Sequence, residues 1–439
     1  MLRSLIQSRP LLSIFLLALL VRLGAIAAFS TLRDKPLRKD QLLYHSLASS
    51  LAAGKGLRSN GVITAMVPPV YPIFLAGIYK FSGNSRIAVY FCQAALGALT
   101  VVLIFLLGRL TFTSGVGWIS AVVAAVYLPF ITTGIQYLSE TLFTPLFLAA
   151  TYCSILAVRE KKTGISLLTG GLLALAALTR SMIFYFPPVI LGLLAWDYLK
   201  RRDIRPIKCG FVILVAFGAV YSPWVVRNYL EFHAPVFTST NTGMVAYTSL
   251  FPYQGKIFGN NLEESELKDQ DRYIVHLNEI EMNRALQALA WKEMRNEPLR
   301  PVRLIPLKTA YFWSPFDWEV LGQPRGTINF WFIWILLFSA VWLFRRKKWH
   351  SSQIIPFSLI AYFYLLSLAA YGSPRMRLPI EPLLILLAAE GWVGIETKLD
   401  RKLKFILAFF IVFTIIACSI FGYELKELSA ALLSRFNLW

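Results

Sequence analysis

Long apolar runs constrain this chain more than any other feature of its sequence. About 20 mostly apolar residues are enough for a helix to cross a bilayer. Hydrophobic residues make up 56% of the 439 positions and charged residues only 15%, a balance that a water-soluble core cannot bury. The sequence therefore predicts an all-α polytopic membrane protein with about eleven transmembrane helices. The predicted spans are 11–30, 87–108, 114–132, 138–157, 165–180, 182–198, 209–226, 328–344, 353–371, 379–394 and 405–422.

The basic residues indicate how these spans are oriented. The formal net charge is +20, and most of it lies in short loops that alternate along the chain with less basic ones, so that all of them fall on the same side of the predicted bundle. Such loops remain cytoplasmic, so we expect a cytoplasmic N-terminus and two outer regions, 31–86 and 227–327. No soluble basic domain accompanies the charge, which excludes a nucleic-acid partner. The basic loops contain Arg159–Lys162, Lys200–Lys208, Arg345–Lys348 and Lys398–Lys404.

The outer regions divide the chain into four parts. An N-terminal bundle, 1–226, includes the first outer region, where the spacing predicts two helices on the membrane surface. One begins near Asp40, with Leu42, Leu43, Leu47 and Leu51 on one stripe, and the other follows the prolines at 68–72. Residues 227–327 form a predicted extracytoplasmic lid of mixed structure, with an amphipathic helix over Ile274–Met294. Spans return at 328–422, and 423–439 predicts an interfacial amphipathic tail.

The first apolar run has a second interpretation as a signal peptide. Arg3 and Arg9 precede it and small residues follow it. Its length, and Arg22 near its outer end, favour an uncleaved span. Both interpretations leave residue 40 outside.

Seven ionisable residues map close to the outer ends of the predicted spans. A charge deep in hydrocarbon is costly, so their shared position suggests one site assembled from several spans. Arginines bind phosphate through charge-assisted hydrogen bonds, and a carboxylate can act as a general base. The set consists of Asp40, Glu140, Arg180, Arg227, Arg375, Arg377 and Glu381.

At these residues the chain resembles the GT-C glycosyltransferase superfamily, in the bacterial branch similar to protein O-mannosyltransferases and the lipid A aminoarabinose transferase. Each motif is short, but their order and their common outer location are typical of the family. The matching residues are Asp40, Tyr44, Ala48, Leu51, Gly54 and Gly56, then Pro68–Ala76, Ser139–Phe143, Leu178–Ser181, Pro223–Asn228, Val236–Gly243 and Arg377–Leu384.

The resemblance implies an inverting transfer on the outer face of the bacterial inner membrane. The donor would be a polyprenyl-phosphate sugar, and the acceptor a hydroxyl on a glycan, lipid or protein. Asp40 would be the catalytic base. Gln41 stands where many relatives have Glu, which weakens any inference of a second carboxylate or a metal there. No cofactor is certain: His45 and His233 could hold a divalent metal with Asp40 or Glu140, but no ligand spacing supports such a site.

The remaining predicted site residues divide into two groups. Arg377 is the first choice for the donor phosphate, because a second arginine, Arg375, lies on the same short outer loop. Further candidates for the phosphate are Arg227, Arg375 and Arg180. The sugar or acceptor is assigned to Glu140, Tyr44 and Tyr71.

Each of these assignments has a structural alternative. Asp40 is also a favourable helix N-cap, and Glu140 a possible ion-pair partner for an arginine. Arg180 and Arg227 could extend to the interface from span ends. An interfacial aromatic belt would account for Tyr71 and for the aromatic stretch Tyr311–Trp318.

Two other functions remain open at this point. A secondary transporter or lipid flippase would also be polytopic, although paired repeats and midplane charges are not evident. An oligosaccharide ligase or polymerase that uses diphosphate-linked lipids is chemically close to the implied reaction.

Overall fold

A computed structural model describes residues 10–28, 36–37, 40–250, 269–317, 327–345, 351–370 and 372–396. The predicted last span, 405–422, and the predicted tail, 423–439, lie outside the described residues. The described chain is almost entirely helical. Its helices are α1 (Pro10–Ala28), α2 (Asp40–Ala52), α3 (Val70–Ser82), α4 (Arg86–Thr111), α5 (Ser114–Val126), α6 (Leu128–Gly134), α7 (Glu140–Glu160), α8 (Thr163–Ala177), α9 (Pro187–Arg201), α10 (Arg205–Phe232), α11 (Thr242–Thr248), α12 (Glu279–Asn296), α13 (Arg300–Arg303), α14 (Ile305–Phe312), α15 (Phe330–Arg345), α16 (Ser351–Ala369), α17 (Pro374–Arg377) and α18 (Glu381–Glu396).

Short 3₁₀ segments and two antiparallel hairpins complete the described structure. The 3₁₀ segments are Ser181–Ile183, Asp269–His276 and Leu378–Ile380. The hairpins pair β1 (Arg58–Ser59) with β2 (Val62–Ile63) and β3 (Phe316–Asp317) with β4 (Thr327–Ile328).

Six of the described helical segments are long and apolar enough to cross a membrane. Helices α5 and α6 add a seventh span if the bent pair is counted as one. Three further apolar helices, Thr163–Ala177, Ser181–Trp196 and Trp331–Arg345, are shorter than a comfortable span. The predicted all-α, multi-pass architecture is confirmed, whereas the predicted number of eleven spans is not.

The bend between α5 and α6 is the main irregularity within the bundle. The two helices meet at 52°, with Tyr127 in an extended conformation between them. Pro129 lies in the first turn of α6, and its ring prevents one continuous helix through this point. The chain then leaves α6 and passes through residues 135–139 before α7 begins. This non-helical stretch supports the site described below.

Close helix contacts hold the bundle together. Helix α4 packs against α1, α5 and α7, while α8 packs against α7 and α10. A Cβ atom at Gly170 of α8 would collide with the Ile213 carbonyl oxygen of α10. Small residues allow such approaches inside a membrane, where no hydrophobic effect drives helices together. The C-terminal helix α18 packs against α15 and α5, so both halves of the chain form one bundle.

The two predicted helices of the first outer region are present as α2 and α3, packed against each other. The predicted leucine stripe of α2 is partly wrong. Tyr44, Leu47 and Ala48 form its buried face, whereas Leu42 is exposed. The side chain of Tyr44 is larger than that of Leu42, and its hydroxyl bonds to the buried Ser139. The face of α2 that carries Tyr44 therefore packs inward.

The second outer region contacts the first. The amphipathic helix predicted at Ile274–Met294 begins later, at Glu279, because Asn278 caps it: Asn278 Oδ1 accepts from the backbone N–H groups of Ile280 (3.2 Å) and Glu281 (3.0 Å). Glu279 Oε1 accepts from Ala65 N at 2.8 Å and from the Thr240 hydroxyl. This helix therefore connects the two outer regions.

Candidate functional site

Four charged side chains from distant parts of the sequence meet at one end of the bundle. Arg375 Nη1 lies 2.6 Å from Asp40 Oδ2. The same guanidinium contacts Glu140 through Nε and, at 3.4 Å, through Nη2. Arg180 Nη1 lies 2.7 Å from Glu140 Oε1. Two carboxylates and two guanidiniums thus form a cluster whose formal charges cancel, called here the four-charge cluster.

The members of this cluster differ in exposure. The side chain of Asp40 is 35% exposed, against 18% for Arg375, 14% for Arg180 and 1% for Glu140. Glu140 is therefore the buried anchor that both arginines contact. Asp40 lies at the open edge, where a substrate hydroxyl could reach its carboxylate.

Local structure positions each member of the four-charge cluster. Asp40 and Glu140 lie in the first turns of α2 and α7, where the helix dipole stabilises negative charge. Arg180 follows the end of α8. Arg375 lies in the single turn of α17, which Ser373 caps by accepting from the Arg375 backbone N–H at 3.2 Å.

Ser139 and Tyr44 form hydrogen bonds beside the four-charge cluster. Ser139 Oγ accepts from Arg180 Nη1 and from the Tyr44 hydroxyl, each at 3.1 Å. Burial raises the pKa of Tyr44 to about 12, so its hydroxyl keeps its proton and remains a donor. The Tyr44 ring also meets the Tyr71 ring edge-on, with 4.8 Å between centroids. Tyr44 therefore connects α2 to the residues that carry Glu140.

Gln93 holds the non-helical stretch that leads into α7. Its side chain, on α4, is fully buried. Nε2 donates to the carbonyl oxygens of Gly134 and Gln136, each at 2.9 Å, and Oε1 accepts from the Tyr71 hydroxyl at 2.7 Å. These bonds satisfy backbone carbonyls that the bend removes from a helix. The sequence interpretation missed Gln93, although a lone amide in an apolar span is itself a signal.

Tyr44 and Tyr71 were predicted to contact a sugar or acceptor. Both side chains are buried, and their hydroxyls donate to Ser139 and Gln93. Their rings pack within the protein, so stacking on a sugar is not compatible with this conformation. The structure instead places both residues beneath the four-charge cluster.

Arg377 differs from the role predicted for it. Its side chain is 0% exposed. Nε donates to Glu381 Oε1 at 2.8 Å, and Nη1 donates to the carbonyl oxygens of Phe312 (2.5 Å) and Ser314 (2.7 Å). The guanidinium also lies over the Phe332 ring, 3.5 Å from its centroid. A residue enclosed in this way offers no surface to a phosphate, and we assign Arg377 a structural role.

Arg227, another predicted phosphate ligand, contacts the first outer region instead. Its Nη1 donates to the Thr64 carbonyl oxygen at 3.2 Å and to Asn228 Oδ1 at 3.0 Å. Its guanidinium also lies beside the rings of Trp224 and Phe232. None of these contacts involves the four-charge cluster.

The candidate metal ligands are engaged in other contacts. His45 Nδ1 lies 2.7 Å from the Tyr79 hydroxyl. Gln41 Nε2 donates to Gln136 Oε1 at 3.2 Å, so the position where many relatives have Glu is an amide pair here. Among the residues that the structure describes, no three His, Cys, Asp or Glu side chains form a group able to hold a metal ion.

A protein-family model matches part of this chain, and solved structures of other proteins share its fold. Residues 66–226 match the family model described as dolichyl-phosphate-mannose-protein mannosyltransferase. That stretch includes Glu140 and Arg180, whereas Asp40 and Arg375 lie outside it. The resemblance to GT-C glycosyltransferases stated from the sequence is confirmed. No curated protein matches the chain.

Solved structures of the oligosaccharyltransferase AglB from Archaeoglobus fulgidus share the fold. One, in complex with an inhibitory peptide and a dolichol-phosphate, has a TM-score of 0.57 at 14% identity and covers 97% of this chain and 56% of its own. A second, tethered to an acceptor peptide with the NVT sequon, has a TM-score of 0.59 at 13% identity, with 97% and 55% covered. The chain thus spans little more than half the length of these relatives.

A more distant likeness is to ArnT from Cupriavidus metallidurans bound to undecaprenyl phosphate. Its TM-score is 0.40 at 12% identity, with 87% of this chain and 77% of that chain covered. A score this low adds nothing to the fold assignment, which is based on the oligosaccharyltransferase structures.

Proposed function

We propose that this protein is a membrane glycosyltransferase that moves a sugar from a polyprenyl-phosphate donor to an acceptor hydroxyl, with Asp40 as the general base. The observation that carries the proposal is the four-charge cluster, in which the partly exposed carboxylate of Asp40 contacts one arginine and the buried Glu140 holds a second. Such a site can bind a phosphate and accept a proton within one small volume. The alternation of basic loops supports a site on the outer face of the membrane, and the family resemblance suggests a bacterial inner membrane.

The proposed reaction breaks one bond at the anomeric carbon and forms another. The acceptor oxygen attacks the anomeric carbon from the side opposite the phosphate, and Asp40 takes the proton of the hydroxyl. The bond from the anomeric carbon to the phosphate oxygen breaks, and polyprenyl phosphate leaves with the electron pair. Attack from the opposite side inverts the configuration. The leaving phosphate is a stable anion, so one base is sufficient for the proton transfer.

Arg375 and Arg180 are the proposed phosphate ligands. Both guanidiniums are partly exposed and close to Asp40 or its neighbour Glu140. A guanidinium can give two parallel hydrogen bonds to phosphate. Glu140 would keep both arginines oriented rather than bind the sugar, since its carboxylate is buried between them.

The comparisons support a lipid-phosphate donor. The matching family model is named for a dolichyl-phosphate-mannose enzyme, and the AglB structure that shares the fold holds a dolichol-phosphate. The acceptor here could be a glycan, a lipid or a protein.

The second outer region is the proposed lid. Residues 227–250 and 269–317 contact the first outer region through Glu279 and Arg227, and they contact the turn that carries Arg375 through Phe312 and Ser314. Movement of this region would close the site over the donor and exclude water.

The test is transfer from a synthetic polyprenyl-phosphate sugar by the purified protein in lipid nanodiscs. Membranes from a strain that lacks the protein supply the acceptor, and mass spectrometry of their glycans identifies the product. Asp40→Asn should lower the rate about 10²- to 10⁴-fold, the range typical of a lost general base, while the variant remains folded. Asp203→Asn is the matched control, because Asp203 pairs with Lys161 in a predicted cytoplasmic loop. Full activity of Asp40→Asn would refute the assignment.

AglB is named an oligosaccharyltransferase, which favours one alternative, the oligosaccharide ligase or polymerase. In the sequence analysis that alternative uses a diphosphate-linked lipid. Equal assays with monophosphate and diphosphate donors separate the two reactions. Exclusive use of the diphosphate donor would replace our proposal. Transport of lipid or solute in liposomes, without glycosyl transfer, would instead indicate a flippase or transporter.

A further inference from the structure

Arg375 forms the connection between the two carboxylates of the four-charge cluster. Its Nη1 contacts Asp40 Oδ2 at 2.6 Å, while Nε and Nη2 face Glu140. We call these contacts the Arg375 bridge. They join α2, α7 and α17, three elements that are far apart in the sequence.

The Arg375 bridge has a chemical consequence for Asp40. Nη1 of Arg375 lies directly against one carboxylate oxygen of Asp40. The same contact occupies an oxygen of the proposed base. While the bridge is formed, Asp40 is therefore less accessible to an acceptor hydroxyl.

A lipid phosphate is a suitable competitor for the bridge. The four-charge cluster is neutral before a donor arrives, so an added phosphate requires a cation. Arg180 remains on Glu140 at 2.7 Å, which leaves the buried carboxylate of Glu140 compensated if Arg375 moves. Asp40 is the more exposed carboxylate and can be solvated without a partner. Transfer of Arg375 from Asp40 to the phosphate therefore leaves no buried charge unpaired.

The surrounding structure allows the side chain of Arg375 to move while its backbone stays in place. Arg377, in the same turn of α17, is fixed by Glu381 and by two carbonyl oxygens. Gly372, with φ of +59°, packs against the backbone of Lys308. The turn is thus held on both sides of Arg375, and only rotamer changes are needed for the guanidinium to reach a new partner.

We propose that binding of a lipid phosphate breaks the contact between Arg375 and Asp40 and thereby activates Asp40. The inference rests on the proposed role of Asp40 as general base. It assigns Arg375 two successive partners: Asp40 before the donor binds and the donor phosphate afterwards. Asp40 would then be free to accept a proton from the acceptor only when a donor is present.

Chemical labelling of Asp40 tests this proposal without an activity assay. A water-soluble carbodiimide with an amine converts accessible carboxyls to amides, and peptide mass spectrometry measures the labelled fraction at each residue. Addition of dolichyl phosphate to the protein in nanodiscs should raise the Asp40 labelling rate about fivefold or more, the lower end of typical coupling between sites. Dolichol, which lacks the phosphate, should leave the rate unchanged.

Variants separate the bridge from a general opening of the site. In Arg375→Gln, labelling of Asp40 should be high with or without dolichyl phosphate. Arg58→Gln, in the first outer hairpin, should respond like the unmodified protein. Labelling that is unchanged or reduced by dolichyl phosphate overturns the proposal, as does an Arg375→Gln variant that labels no faster. The response of the unmodified protein decides the matter if Arg375→Gln does not fold.

Labelling and transfer fail independently of each other. A labelling response without any glycosyl transfer would leave the Arg375 bridge standing and refute the proposed function. Glycosyl transfer without a labelling response would support the proposed function and refute the proposal for the Arg375 bridge.

Discussion

Arg375 and Arg377 are the same residue type, two positions apart in one helical turn, yet they have opposite surroundings. Arg375 is partly exposed and contacts two carboxylates from other elements. Arg377 is fully buried and contacts Glu381, two carbonyl oxygens and an aromatic ring. Residues two apart on a helix point about 200° away from each other. The face of α17, rather than position in the sequence, decides which arginine is available to a substrate.

The comparison separates two kinds of ionic contact. The buried pair of Arg377 and Glu381 lies among apolar side chains, where removal of one charge leaves the other without compensation. The cluster around Arg375 contains two arginines for two carboxylates and lies partly in solvent. Loss of one arginine there leaves Glu140 with Arg180. Stability should therefore depend on Arg377 and activity on Arg375.

The largest expected effect is on folding, from Arg377→Met. We expect it to lower the free energy of unfolding by about 3–5 kcal/mol, because Glu381 would remain buried without the guanidinium that it pairs with. Arg375→Met should change it by only about 1 kcal/mol, close to the range of exposed ion pairs, while it strongly reduces transfer. Thermal unfolding in one detergent measures both variants. The double variant Arg377→Met with Glu381→Gln should recover part of the loss, and equal destabilisation by both single variants would contradict the comparison.

A smaller effect is expected beneath the four-charge cluster, from Gln93→Leu. The variant removes two donors from backbone carbonyls and one acceptor from Tyr71, so we expect a loss of about 1–3 kcal/mol. The stretch before α7 should also shift, and kcat should fall more than KM rises, because Ser139 and Glu140 are misplaced rather than removed. Steady-state kinetics with a range of donor concentrations measures this.

Two substitutions complete that test. Leu99→Ala, at a partly exposed position on the same helix, is the control for effects of α4 itself. Gln93→Asn keeps the amide but shortens the side chain, and it should recover less than a tenth of the lost kcat if position is what matters. Unchanged kcat in Gln93→Leu would show that the bonds of Gln93 serve stability alone.

The sequence predicts the fold better than it predicts the positions of individual side chains. Apolar runs of about 20 residues identify helices because the bilayer requires every backbone group to be bonded within its own segment. The same runs do not reveal that Pro129 divides one span into α5 and α6. Nor do they separate full spans from shorter apolar helices such as α8 and α15.

The predicted site shows the same limit. Outer-face position alone selected Asp40, Glu140, Arg180 and Arg375, and the structure brings these four together. It also selected Arg377 and Arg227, which face other partners. Whether a charged residue joins the four-charge cluster or contacts another partner depends on the register of α17 and on loop contacts such as that from Arg227 to Thr64. These are tertiary facts that no local pattern encodes.

Lys308 is a second buried cation near the turn of α17, and it differs from Arg377 in that it can lose its proton. It lies on α14, which also provides the Phe312 carbonyl oxygen to Arg377. Its side chain is 1% exposed, and Nζ donates to the Leu368 carbonyl oxygen at 2.9 Å, near the end of α16. Burial lowers the pKa of Lys308 from 10.5 to about 8.

The last prediction uses this titration to sharpen the comparison. Between pH 8 and 10.5 the unfolded chain holds a proton on Lys308 that the folded protein has released, so the stability of the folded protein rises with pH in this window. Below pH 8 both states are protonated, and the folded state carries the full cost of a buried charge. Relative to Lys308→Met, the unmodified protein should therefore gain on the order of 1 kcal/mol between pH 7 and pH 9.5.

Thermal unfolding midpoints of both proteins across this pH range measure the gain. Lys292→Met, on the exposed face of α12, is the matched control and should show no such trend. Arg377→Met should likewise differ from the unmodified protein by a constant amount, because arginine keeps its charge throughout. A pH-dependent difference for Arg377→Met, or none for Lys308→Met, would mean that the two buried cations are not distinguished by titration. The contrast between them would then be one of packing alone.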